Sequence, residues 1–138
     1  MPLIRRGEAG DLAAVAAIQR ASPEAAQWEV AGYLSYDFLV AADASGIAGF
    51  VVARTPVEGE SEILNLAVAP EFRRRGVARE LVSALPACSG GTVFLEVRES
   101  NQAARSLYKS MGFEEVGRRD GYYDNPPETA IVMKFHSC

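Results

Sequence analysis

The chain turns sharply at Arg73-Arg74-Arg75-Gly76-Val77-Ala78, between a predicted strand and a predicted helix. The strand is the apolar run at residues 63–68, and the helix is the run that begins at Val77. The first N–H groups of a helix have no partner within it, and the helix dipole adds partial positive charge there. Backbone amides in such a turn cradle phosphate oxygens, and Gly76 lets a ligand approach the backbone closely. The turn therefore predicts a site for a phosphate-bearing ligand.

Composition and charge limit the kinds of partner. The chain has 138 residues, 49% of them hydrophobic, which suits a single domain over residues 1–138 with a real core. Its formal net charge is −4, so a general nucleic-acid binder is not expected. The arginines between Arg73 and Arg79 form a local positive cluster in this acidic chain, and such a cluster indicates a specific anionic ligand.

The cysteines and the histidine give no sign of a metal centre. Cys88, Cys138 and His136 lack the spacing of metal ligands, so we expect no metal site. The N-terminus lacks the apolar core of a signal peptide, and no run approaches the length of a membrane span. We therefore expect a soluble, cytoplasmic protein with reduced thiols and no membrane partner.

Periodicity and turn signals predict the order β, αα, βββ, α, β, α, ββ. The predicted elements are a strand at 3–6, helices at 11–21 and 22–34, strands at 38–42, 47–54 and 60–68, a helix at 77–85, a strand at 92–98, a helix at 101–111, and strands at 113–117 and 130–135. Asp11, Ser22 and Ser100 are predicted N-caps, Gly112 is a predicted left-handed helix stop, and 120–127 is a predicted loop. A strand, a crossover helix and another strand imply one parallel pair. The predicted fold class is α+β, with a central mixed, mostly antiparallel sheet of about seven strands and helices on both faces.

Several stretches resemble the GNAT acetyltransferases. Arg73-x-x-Gly76-x-Ala78 resembles the Arg/Gln-x-x-Gly-x-Gly/Ala signature that this family wraps around the pyrophosphate of acetyl-CoA. A second GNAT signature is similar to Asn101-x-x-Ala104-x-x-Leu107-Tyr108-x-x-x-Gly112-Phe113. Residues 95–101 and 118–133 resemble the ribosomal-protein-alanine N-acetyltransferases within that family. The likeness is strongest from about residue 65 to residue 133, and the order of elements matches the GNAT fold across nearly the whole chain.

The resemblance implies acetyl-CoA as the acetyl donor and CoA as a product. The residues that it assigns to this cofactor are Leu66, Ala67, Val68, Arg73, Arg74, Arg75, Gly76, Val77, Ala78, Arg79 and Asn101. Backbone amides of the turn would hold the pyrophosphate, and the strand at 66–68 would pair with the pantetheine arm. A backbone N–H near Val68 would face the thioester oxygen as that oxygen gains charge.

The resemblance also assigns two catalytic side chains. Glu96 matches the general base, and its position in an apolar strand suits that role because burial makes a carboxylate a stronger base. Tyr108 matches the general acid that would protonate the departing thiolate. No motif places a cysteine as nucleophile, so direct attack in a ternary complex is expected. The alternatives are a Glu96 that faces solvent or pairs with Arg98 or Arg105, and a Tyr108 that is only a core tyrosine.

The acceptor is the least determined part of the prediction. Trp28, Tyr122, Tyr123 and Glu128 could shape its groove together with Asp124, although the aromatic residues could equally pack the core or the sheet edge. The resemblance implies transfer to the N-terminal α-amine of a protein or peptide, such as a ribosomal protein. A small-molecule amine or an internal lysine would need the same chemistry. A non-catalytic acyl-CoA-binding sensor is a further alternative, but such a sensor would need neither Glu96 nor Tyr108.

Overall fold

Seven strands form a single mixed sheet in the computed structural model, which describes residues 2–22, 25–85, 91–123 and 127–136. The strands are β1 (Leu3–Arg6), β2 (Asp37–Asp43), β3 (Gly46–Arg54), β4 (Glu60–Val68), β5 (Thr92–Arg98), β6 (Glu114–Tyr123) and β7 (Glu128–His136). Their order across the sheet is β1-β2-β3-β4-β5-β7-β6. The β4–β5 pair is parallel and the other pairs are antiparallel. The predicted fold class and the predicted parallel pair are both confirmed.

Helices cover both faces of this sheet. They are α1 (Leu12–Arg20), α2 (Val77–Ser83) and α3 (Gln102–Ser110), with short 3-10 helices at Ala9–Asp11, Val30–Ser35 and Pro70–Phe72. Side chains of α2 and α3 share one core cluster with the sheet, and side chains of α1 share the other. Over the ranges that the structure describes, none of the helices combines the length and the apolar character of a membrane span.

The two core clusters fix the sheet from either side. Leu81 of α2 is fully buried in the first cluster with Leu95 of β5. Val15 of α1 and Phe50 of β3 are fully buried in the second. Each such side chain contributes on the order of 1.5–3 kcal/mol when it is removed from water, so β3 and β4 are held by packing on both faces and β5 by packing on one.

The predicted second helix at 22–34 is wrong. Residues 23 and 24 lie outside the described part of the chain, residues 25–29 have no regular structure, and the 3-10 helix begins at Val30. Ser22 does not act as a cap, because its hydroxyl donates to the carbonyl of Ile18 at 2.6 Å. Backbone groups at residues 26 and 28 bond to the side chains of Asn65 and Gln19 instead of to a helix.

Four further predictions concern the ends of elements. Asp11 is the N-cap residue of α1, as predicted, but its carboxylate makes no capping bond and accepts from Arg5 at 2.8 and 2.9 Å. The predicted cap Ser100 is wrong, because Asn101 is the N-cap of α3 and its side chain accepts from the N–H of Ala104 at 3.1 Å. The predicted loop at 120–127 is also wrong in part, since β6 continues to residue 123 and residues 124–126, including Asp124, lie outside the described residues. The predicted left-handed stop is confirmed by a φ of 100° at Gly112.

Candidate active site

The parallel strands β4 and β5 separate partway along their length. Their register runs only from Glu60 opposite Thr92 to Glu62 opposite Phe94. Beyond those pairs lies a cavity of about 630 Å³, and residues 63–65 of β4 and 95–98 of β5 both line it. The sheet is therefore split at its centre, and the split is wide enough to admit a ligand.

Backbone groups of β4 face this split. The N–H of Ala69 donates to the carbonyl of Ala48 at 2.7 Å, so that residue points toward β3. Because the bonding direction alternates along a strand, Val68 and Leu66 direct their N–H and C=O groups toward β5. The carbonyl of Val68 accepts from Nε of Arg73 at 3.1 Å. The N–H of Val68 thus points into the region where the two strands part.

A second cavity, of about 420 Å³, lies against the basic turn. Its lining includes most of the predicted cofactor residues, namely Val68, Arg73, Arg74, Gly76, Val77, Ala78 and Arg79. Gly76 has a φ of 79° and Arg74 a φ of 64°, so the backbone is left-handed at two positions of this turn. Such a turn brings several backbone N–H groups to one side, which is the arrangement that holds anions. Arg75, Leu66 and Ala67 are not among the residues that line either cavity in the described part of the chain.

Two of the arginines have structural partners. Nη2 of Arg73 lies 3.4 Å from the carbonyl of Ala21 and 3.3 Å from the hydroxyl of Ser22, which ties the turn to the end of α1. Nη2 of Arg79 donates to the carbonyl of Ser110 at 3.0 Å and so ties α2 to the end of α3. The backbone amides of the turn, more than these two side chains, are therefore the groups placed to receive an anion.

Glu96 and Tyr108 lie on the walls of the larger cavity, together with Asn101. The Glu96 side chain is 13% exposed, and its Oε1 accepts from Nη1 of Arg119 at 2.8 Å. Its buried Oε2 has no hydrogen-bond partner among the described residues. Tyr108 is buried, with its ring centroid 5.4 Å from that of Phe113. A carboxylate on a cavity that it shares with a tyrosine is chemically able to accept a proton from a bound molecule.

Two aromatic residues at the end of β6 line the same cavity. Burial raises the pKa of Tyr123 to about 12, and the negative charge of Glu96 acts in the same direction. The pKa of Tyr122 is also raised, first by burial and then by that charge. Arg119 lies 4.6 Å from the ring centre of Tyr122, and Arg98 lies 4.3 Å from that of Tyr123. Both phenols are therefore protonated hydrogen-bond donors at neutral pH.

Of the other predicted acceptor residues, the structure brings one to the cavity. Trp28 lines it, with half of its surface exposed. Glu128 is not among the described lining residues, because its carboxylate accepts from the N–H of Ser100 at 2.6 Å and lies 3.4 Å from Arg98. The Ser100 hydrogen bonds and Arg98 lower the pKa of Glu128. Its position supports the turn that leads from β5 into α3.

The structure adds two residues that the sequence analysis did not single out. Glu62 and Asn65 both line the large cavity although both are almost fully buried. Glu62 forms an ion pair with Arg54 and lies on the last paired position of β4, beside Phe94. A charged residue and an amide within an otherwise apolar strand were a usable signal, since buried polar groups need partners or a function.

The fold and the split sheet together define a class of protein, and the comparisons with known proteins agree with it. Residues 35–115 match the family described as "Acetyltransferase (GNAT) domain". This match covers more than half of the chain, which therefore belongs to the GNAT acetyltransferase family.

Particular members of the family are similar to this chain. It is 37% identical over 97 residues to the [ribosomal protein bS18]-alanine N-acetyltransferase of Haemophilus ducreyi, a match that covers 65% of this chain and 66% of that protein. It is 44% identical over 91 residues to the N-alpha-acetyltransferase RimI of Mycobacterium tuberculosis, which covers 64% and 57% of the two chains. Each of these matches spans less than two thirds of the relative's own length. The crystal structure of the ribosomal-protein-S18-alanine N-acetyltransferase from Escherichia coli superposes with a TM-score of 0.74 at 31% identity, covering 100% of this chain and 96% of that chain.

Proposed function

We propose that this chain transfers the acetyl group of acetyl-CoA to the α-amine of a protein N-terminus. The observation that carries the proposal is the pair Glu96 and Tyr108 on one cavity, at the split between β4 and β5. The named activity of the Escherichia coli relative, which aligns along the whole chain, supports this choice of acceptor. That relative acts on a ribosomal protein, so a ribosomal N-terminus is the first acceptor to consider.

The two cavities fit the parts of acetyl-CoA. The cavity at the basic turn offers backbone N–H groups and arginines to phosphates, and it also contacts Val68. From Val68 the edge of β4 that is not paired with β5 runs back to Asn65, which lines the larger cavity. An extended arm that followed this edge would bring a thioester between Glu96 and Tyr108. The Val68 N–H would then donate to the thioester oxygen as charge develops on it.

Glu96 and Tyr108 would move the two protons of the reaction. A free α-amine has a pKa of about 7.7–8.0, so a base is needed to keep it neutral at physiological pH. Glu96 would accept a proton from the amine, directly or through a water, as the nitrogen bonds to the acetyl carbon. The bond from that carbon to sulfur breaks, and Tyr108 would donate its proton to the departing thiolate. The protein carries no acetyl group at any stage.

The remaining walls would receive the acceptor peptide. Tyr122 and Tyr123 present protonated hydroxyls, because burial raises the pKa of each phenol. Trp28 offers an aromatic surface, and Glu62 adds a second carboxylate to the same cavity. Hydroxyl donors can bind peptide carbonyls, and carboxylates favour a cationic N-terminus before it loses its proton.

The proposal is tested by CoA release from acetyl-CoA with a set of peptides. A peptide that begins with Ala and has a free terminus should be acetylated, and the same peptide with a blocked terminus should not. The variant Glu96→Gln keeps the shape of the side chain and should lower kcat by about 10²-fold or more. Activity on the blocked peptide through an internal lysine would contradict the α-amine assignment. Acetyl-CoA binding without turnover on any amine would favour a sensor.

A further inference from the structure

A segment without regular structure forms one wall of the larger cavity. Residues 25–28 line it, together with Glu96 and the two tyrosines of β6. These residues belong to neither a helix nor a strand, so their backbone polar groups must find partners elsewhere. The position of this wall therefore depends on individual hydrogen bonds and not on a helical or sheet ladder.

The side-chain amide of Asn65 holds this segment through both of the amide's polar atoms, its oxygen and its nitrogen. Oδ1 of Asn65 accepts from the N–H of Ala26 at 3.1 Å, and Nδ2 donates to the carbonyl of Ala26 at 2.9 Å. The amide thus bonds to Ala26 as a neighbouring strand would. Asn65 is almost fully buried on β4, so the segment is attached directly to the sheet.

Two more buried side chains fix the orientation of that amide. Nδ2 of Asn65 lies 3.1 Å from Oε1 of Gln19 and 3.0 Å from the hydroxyl of Tyr33. The Tyr33 hydroxyl donates to the same Gln19 oxygen. Nε2 of Gln19 donates to the carbonyl of Trp28 at 2.7 Å, so Gln19 holds the far end of the segment. In such a network each donor meets an acceptor, and the amides have one consistent orientation.

We propose that Asn65, supported by Gln19 and Tyr33, is a positioning residue that sets the acceptor-facing wall of the cavity. Asn65 acts through the backbone of Ala26 and through the placement of Trp28, whereas the phosphates of the donor would bind at the basic turn, on the other cavity. The acceptor part of this inference rests on the function proposed above. Loss of the network should therefore weaken acceptor binding and leave binding of the donor unchanged.

The first test follows Trp28, which is the single tryptophan of the chain. Asn65→Ala removes both bonds to Ala26, so acrylamide should quench Trp28 fluorescence more strongly than in the wild type. The milder variant Tyr33→Phe removes only a hydroxyl and should shift quenching in the same direction by less. Far-UV circular dichroism confirms that each variant is folded. Unchanged quenching in both variants would overturn the proposal, whatever the protein acetylates.

The second test is kinetic and uses whichever amine the wild type acetylates. Asn65→Ala leaves the N–H and C=O of Ala26 without these partners in the cavity wall, so KM for the acceptor should rise about tenfold or more. The Kd for acetyl-CoA, measured by titration calorimetry, should stay within about twofold. Equal losses for donor and acceptor would overturn the proposal. A KM effect with a lysine acceptor would support the positioning role while contradicting the α-amine function.

A matched control comes from the same strand. Ser61 is buried on β4, and its hydroxyl has no hydrogen-bond partner in the part of the chain that the structure describes. Ser61→Ala therefore removes a buried polar group from β4 without touching the network. It should change neither Trp28 quenching nor KM. If Ser61→Ala reproduces the effects of Asn65→Ala, those effects belong to the strand in general and the proposal is wrong.

Discussion

At the scale of single residues, the site depends on two side chains that are held in different ways. Glu96 is fixed by an ion pair with Arg119 from β6, and its second carboxylate oxygen is buried without a partner among the described residues. Tyr108 is fixed by packing, with its ring against Phe113. The phenol ring and the hydroxyl can therefore be separated by mutation, because phenylalanine keeps the ring contact.

We predict that Tyr108→Phe lowers kcat by roughly 10²- to 10⁴-fold, the usual contribution of a general acid. Acetyl-CoA affinity should change by about twofold at most, since the ring that lines the cavity remains. CoA release, measured in samples stopped at successive times, gives kcat, and titration calorimetry gives the affinity for acetyl-CoA. Tyr36→Phe, at an exposed tyrosine, is the control and should leave both unchanged. Equal losses of turnover and affinity would contradict the acid role of Tyr108.

The positions of Glu96 and Tyr108 could be predicted because each lies within a short local motif. Their partners could not. Arg119 lies 23 residues beyond Glu96, and only the pairing of β6 with β7 and of β7 with β5 brings it close. The candidate partners Arg98 and Arg105 were wrong for Glu96, since Arg105 pairs with Glu115 and Arg98 with Glu128.

At the scale of elements, the close pairing of β3 with β4 determines the position of the β4 edge that faces the split. Gly49 of β3 is paired with Val68 of β4. A Cβ at Gly49 would lie 2.9 Å from the carbonyl oxygen of Ala67 and 3.3 Å from Cα of Val68. Both contacts are with backbone, which cannot move without shifting β4. Close packing of the two strands therefore requires glycine at this position.

We predict that Gly49→Ala destabilises the fold by about 1–3 kcal/mol, the usual cost of overpacking a core. It should also weaken acetyl-CoA binding, because displacement of β4 moves the Val68 N–H. Urea unfolding and titration calorimetry measure the two effects.

The control for this prediction is Gly32→Ala, since among the described residues a Cβ there would meet no atom within 4 Å outside its own stretch of the chain. It should change stability by less than about 0.5 kcal/mol and leave affinity unchanged. A Gly49→Ala protein with wild-type stability and affinity would contradict the close approach of these strands.

Most strands could be predicted from the sequence, while the segment before the 3-10 helix at residue 30 could not. Apolar alternation and turn residues are local signals, and they placed β2 to β5 within one or two residues. Residues 25–28 have helix-compatible composition, but the backbone of Ala26 bonds to Asn65, which lies about 40 residues later. A tertiary contact of this kind overrides local preference, and no pattern within the segment reports it.

At the scale of the whole molecule, the predicted sheet with helices on both faces is confirmed, but its central split was beyond prediction. Sequence spacing indicates that β4 and β5 are parallel neighbours. It does not say that their pairing stops after Glu62 and Phe94, because that depends on the packing of α1, α2 and α3 together. The cavities, and hence Glu62 as a wall residue, follow from this three-dimensional arrangement.

The split between β4 and β5, with its two cavities, leads to a prediction about the kinetic mechanism. In the proposed function the donor phosphates would bind in the cavity at the basic turn and the acceptor in the larger cavity, so both could be bound at once. Initial rates at several fixed acceptor concentrations should therefore give intersecting double-reciprocal lines. Incubation with acetyl-CoA alone should leave the intact mass of the protein unchanged. Parallel lines, or an acetylated protein, would indicate a covalent intermediate and would contradict direct transfer.

The short pairing between β4 and β5 has a mechanical consequence. The sheet consists of two blocks, β1 to β4 and β5 to β7, and among the described residues the strand pairing between them is limited to Glu60, Ser61 and Glu62. The core cluster that includes α2 and α3 spans both blocks, but side-chain packing yields more readily than a ladder of backbone bonds. The short pairing of β4 with β5 is thus the place where the two blocks can move relative to each other. Such a motion would widen or narrow the split while each block stays rigid.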